Sequence, residues 1–152
     1  MSTEIHAPDL TQRPPRSMRV RLGGYALLPR MLDKCRATIA GKNGEYHYDC
    51  PLDKHILKFT GIDPEALKTE VATGKGDGEI LEWIHANGKN QPSPWEIAQW
   101  SHYHETRGPD SDAETIGFFS GMIAGLTKTR EDIHSWADLL DLDDYCTFGG
   151  KA

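Results

Sequence analysis

Two short stretches of the chain carry side chains able to hold a small anion and move protons beside it. Arg30 and Lys34 stand four positions apart, so on a helix both point the same way, with Asp33 next to them. A guanidinium fork and an ammonium together suit a carboxylate or a phosphate. The second stretch, GEYHYDCPLDKH, sets Tyr46, His47, Asp49, Cys50 and His55 within ten residues. Histidine, tyrosine and carboxylate form an acid–base set. The candidate site therefore takes Arg30 and Lys34 as ligands for the anion, with His47, Tyr46 and Asp33 as the catalytic groups. The competing readings are a solvated polar helix face for the first stretch and a purely structural loop for the second. His47, Cys50 and His55 also have zinc-compatible spacing, but a structural zinc site uses four ligands in paired short spacings, and no second pair follows. Neither a metal nor a cofactor is expected.

Other signals are weaker. Gly74-Lys75-Gly76-Asp77-Gly78 runs into a helix, as phosphate loops do. It follows a helix rather than a strand and lacks the spacing of either known phosphate fingerprint, so a flexible turn is expected. Gly117, Gly121 and Gly125 line one side of a helix, where each costs about 0.8–1 kcal/mol relative to alanine. Close packing of another helix of the same chain is the simpler explanation, and a partner chain or a flat ligand the sharper one.

These residues need elements to hold them. Leu27, Leu28, Met31, Leu32, Cys35 and Ile39 recur at helical spacing, with Pro29 in the first turn and Gly41 at the stop. Asp53 and Asp63 each read as an N-cap with a flanking hydrophobic pair, ahead of helices ended by Gly61 and Gly74. Ile80, Leu81, Trp83 and Ile84 make a further helix stopped at Asn87-Gly88. Ser93-Pro94-Trp95-Glu96 is a capping box, Asp112 opens another helix, and Thr129 to Asp132 resembles a last box before Ile133, Trp136, Leu139 and Leu140. Trp100 and Trp136 fall in register with apolar neighbours, which predicts core positions. No two-residue alternation runs long enough for a sheet. The expected fold is all-α: an irregular leader over residues 1–20, then one compact domain over 21–152 of six or seven short helices.

A chain of 152 residues is one domain's worth and can bury a core without staples. No apolar run approaches a membrane span, and the first residues lack the apolar stretch of a secretory signal, so no membrane is expected. Three cysteines make a disulfide framework improbable and fit a reducing cytoplasm. The net charge is -6, yet Arg13 to Arg36 holds seven positive residues against Asp33 alone. The rest of the chain carries ten positive and 22 negative residues. An acidic body speaks against nucleic acid as the main partner. The basic segment either folds back on that body or supplies an anion site.

The runs LGGY (22–25) and LPRMLDK (28–34), then EYH (45–47), Glu82-Trp83 and Trp100, resemble a bacterial family catalogued as a domain of unknown function, DUF5069. The resemblance spans the chain from about Arg16 to the final residues and implies a single self-contained domain. It draws attention to Arg30, Asp33, Lys34, Tyr46 and His47 as motif positions and implies no role for any of them. The functional expectation is a cofactor-independent enzyme or binding protein for a small anionic metabolite. The alternative is an interaction or regulatory module without catalysis, with a homodimer possible.

Overall fold

Proline in the first turn starts four of the seven helices in the computed structural model, where its missing N–H leaves nothing unsatisfied. The structure describes residues 5–152. Its helices are α1 (Leu28–Ile39), α2 (Pro51–Thr60), α3 (Pro64–Val71), α4 (Asp77–Asn87), α5 (Pro94–Thr106), α6 (Ala113–Leu126) and α7 (Trp136–Thr147). Among the described residues there is no strand, and Leu22 and Tyr25 form an isolated bridge in the turn that feeds α1. The fold is all-α, as expected. None of these helices is long and apolar enough to cross a membrane.

Three caps fall where the sequence puts them. Asp63 accepts from the Ala66 N–H, Asp112 from Thr115, and Ser93 exchanges bonds with Glu96. Two do not. Asp53 is no cap: α2 begins two residues earlier at Pro51, and Asp53 turns inward from the first turn. The box at Thr129 opens no helix either; α7 starts at Trp136, capped by Ser135 with Asp138 reaching back. Both boxes have the right spacing, but the helix begins only where Trp136, Leu139 and Leu142 can face a core. Gly88 is required where it stands, because a Cβ there would press on the Thr60 carbonyl.

The main core surrounds α1. Leu28, Met31, Leu32 and Cys35 pack on Ile56, Leu67, Ile80 and Ile97, with Tyr25, Phe59 and Trp100 as an aromatic layer. The Phe59 and Trp100 rings stack 4.9 Å apart, 2° from parallel. A smaller core joins α6 to α7 through Phe119, Ile133, Leu139 and Leu142, with Trp136 against it. Met18, Leu27 and Ala137 form a third small cluster that shares Trp100 with the main core. Trp100 and Trp136 thus pack as expected, each partly buried.

The leader is irregular but does not stand apart. Leu10, Pro15 and Met18 are buried, and the Leu27 N–H donates to the Met18 carbonyl at 3.0 Å. Residues 1–4 of it lie outside the described residues. With the leader on one side and α2, α3 and α7 around the others, every residue from Leu28 to Cys35 is buried, the charged ones included.

Candidate functional site

Arg30 and Lys34 do share a side of α1, but neither faces open space. Arg30 is 4% exposed, with its two terminal nitrogens 2.8 and 3.2 Å from the Asp144 carboxylate on α7. The Tyr46 hydroxyl donates to the same carboxylate at 2.8 Å, and its ring lies 5.6 Å from the guanidinium. Burial works against the Arg30 charge, yet Asp144 outweighs it and the guanidinium is held more firmly protonated than usual. Burial, then the bond to Asp144, pushes the Tyr46 hydroxyl well above its ordinary range. Arg30 and Tyr46 therefore converge, though on Asp144 rather than on a cavity.

Lys34 is paired too. Its ammonium lies 2.9 Å from Asp53 Oδ1 and 3.1 Å from Cys50 Sγ, with Asp53 at 1% exposure. Burial raises the Asp53 carboxyl despite the lysine beside it. Asp33 accepts from the Arg16 backbone N–H at 2.9 Å and from its guanidinium at 3.0 Å. His47 is exposed, and its side chain makes no hydrogen bond among the described residues. The zinc-spaced trio does not converge: Cys50 touches Lys34, and the His55 ring lies 4.9 Å from that of His104. His104 is buried, with Nδ1 unpartnered. Burial, then His55 and Arg107, pulls it down to about 4.

The basic segment is largely spent. Six of its seven cations are ion-paired: Arg16 to Asp33 and Asp77, Arg19 to Asp138 and Asp141, Arg21 to Glu105, Arg30 to Asp144, Lys34 to Asp53, and Arg36 to Asp77. Arg13 makes no ion pair among the described residues.

Several clefts have cations at their walls, Lys54, Lys58 and Lys89 in one and Arg19 and Arg130 in another, and one of them gathers three arginines of the basic segment. It measures about 420 Å³ and lies between the leader, α1 and the Gly74–Gly78 turn, with Arg13, Arg16, Arg36 and Lys75 facing Asp33 and Asp77. Asp77, at the start of α4, receives Arg16 at 2.8 Å and Arg36 at 2.7 Å. Burial acts to raise its pKa, but these two donors outweigh it and hold the carboxyl below its usual range. Arg36 also donates to the Lys75 carbonyl at 3.3 Å, which anchors the turn. Of the five candidate site residues Asp33 alone lines this cleft, joined by Gly74, Lys75, Gly76 and Asp77 of the turn expected to be merely flexible. Arg13, Arg16 and Arg36 were visible only as a charge excess, because no spacing rule links them to Asp77.

The glycine stripe is the other surprise. A Cβ at Gly117, Gly121 or Gly125 would meet nothing within 4 Å, so the expected close intrachain packing does not occur. Beside them Ile116 is 44% and Phe118 61% exposed.

The family model described as "Domain of unknown function (DUF5069)" matches residues 12–146, and the chain belongs to that family. No curated protein matches the sequence.

Proposed function

We propose that this DUF5069 protein binds a small anionic metabolite in the cleft between its leader and the α3–α4 turn. What carries the reading is the gathering of Arg13, Arg16, Arg36 and Lys75 around about 420 Å³ of space, a ligand-sized cleft. Asp77 sits between two of these arginines as a built-in carboxylate. An incoming carboxylate or phosphate competes for the same donors and recruits Arg13 at the rim. Asp33 and Asp77 remain as acceptors for hydroxyl groups, which favours a hydroxylated anion over a bare one. Binding is favoured over catalysis: His47 stands away from the cleft, and the Tyr46 proton is committed to Asp144. The paired basic segment supports a small ligand over nucleic acid, whose affinity rests on free cations. Three free cysteines fit a reducing cytoplasm.

Calorimetry and thermal melting with phosphate, citrate and a sugar phosphate test the reading. Saturable binding should be lost in Arg13→Ala, whose melting temperature stays at the wild-type value because the side chain is exposed and makes no ion pair among the described residues. Binding that survives in Arg13→Ala and Arg36→Gln alike would rule the cleft out.

A second reading is favoured by the bare apolar side of α6. Ile116, Phe118 and the three glycines suit an interaction surface, a homodimer among the options. Sedimentation velocity separates the two: Gly121→Leu should shift a dimer to monomer and leave anion binding intact.

A further inference from the structure

A separate cavity, of about 190 Å³, lies between α2, α6 and α7, and its chemistry differs from that of the cationic cleft. Its walls are Leu52, Met122, Trp136, Leu139 and Leu140, and its one polar residue is Asp143. On α7 the positions Trp136, Leu140 and Asp143 follow one another at four and three residues, a single helical face. The carboxylate thus takes the place in the register where a third apolar side chain would complete the packing.

Asp143 is also the acid of α7 left over. Asp138 and Asp141 are taken by Arg19, and Asp144 by Arg30 and Tyr46, whereas Asp143 has no hydrogen bond or ion pair among the described residues. The nearby guanidinium of Arg30 is already occupied on two nitrogens by Asp144. Burial, then the adjacent Asp144, raises the Asp143 carboxyl. A half-buried carboxylate beside another, at the edge of an apolar space, lacks a cation.

We infer that this cavity binds a compact organic amine: an apolar ring lies against Trp136, Leu139 and Leu140, and its ammonium pairs with Asp143. Size fits, since an apolar cavity of roughly 150 Å³ holds a benzene ring, leaving room here for a short aminomethyl arm. The indole face of Trp136 adds attraction for the cationic end. Neutral rings match the walls but leave the carboxylate unpaired, and anions are repelled by Asp143. The inference does not rest on the anion cleft, with which this cavity shares no residue.

The test uses the full chain with benzylamine, toluene and benzoate as probes, followed by the Trp136 indole N–H signal in nitrogen–proton spectra and by melting temperature. Benzylamine should shift the Trp136 signal saturably and raise the melting temperature, toluene should bind at least tenfold more weakly, and benzoate should do neither. Asp143→Asn keeps the shape and should bring benzylamine to the level of toluene. Met122→Trp, which fills the space, should abolish binding of both. Toluene binding as tightly as benzylamine, unchanged benzylamine affinity in Asp143→Asn, or no saturable shift of Trp136 would each overturn the proposal.

Discussion

Arg30 and His104 show how burial reverses the ordinary expectation for a charged or titratable side chain. The spacing of Arg30 and Lys34 correctly put them on one side of a helix, but spacing cannot say that α7 closes over that side from the far end of the chain. An exposed arginine contributes little to stability, and a buried one with a bidentate partner contributes a great deal when that partner would be left uncompensated. Arg30→Ala should cost about 3–5 kcal/mol in urea unfolding, and a double-mutant cycle with Asp144→Asn should show strong coupling. Additive effects would mean that the pair is not formed in solution. His104 makes the opposite point: it is buried without a counter-charge, facing His55, Trp100, Tyr103 and Arg107. The folded chain keeps its imidazole neutral down to about 4, whereas the unfolded chain takes up a proton near its ordinary 6.5. Stability is therefore full above pH 6.5 and falls as the pH drops toward 4, by about 3 kcal/mol at most. His104→Phe should flatten that part of the stability curve. A wild-type curve already flat between pH 6.5 and 4 would remove His104 as its cause.

At the scale of the helices, most starts were legible because a cap is a local device. Asp63, Ser93 and Asp112 needed no knowledge of the rest of the chain. The sequence pattern puts a box at Thr129, whereas the structure caps α7 six residues later at Ser135, where the helix can pack. Ser135→Ala should cost about 1 kcal/mol as a lost cap, and Thr129→Ala should change stability by no more than a few tenths in the same denaturation series. Equal effects would mean that α7 starts elsewhere. Asp53 was misread for a related reason: an acid in the first turn looks like a cap until its partner, Lys34, is seen on another helix. The glycines of α6 were legible as a stripe. Their exposure was not, since periodicity gives a face but not what covers it.

The ion pairs that organise the whole molecule connect residues far apart in the chain. Arg19 reaches Asp141 across 122 positions, and Arg30 reaches Asp144 across 114. Compensation of the basic segment was legible as a charge imbalance, and its partners were not, because no local rule pairs residues so distant. These contacts also impose an order of events on a chain made from one end. While the ribosome is still building α5 and α6, the leader and α1 have emerged with Arg19 and Arg30 unmatched, and α1 cannot yet be fully enclosed. The last step of folding waits for α7, and a growing chain without it holds a charged central helix that water must still reach. Tethering the chain to a force-sensitive stalling sequence at increasing lengths should give its main pulling event only once α7 has cleared the exit tunnel. Asp144→Asn should weaken that event without moving it, and a main event of full strength before α7 emerges would show that α1 closes without its late partner.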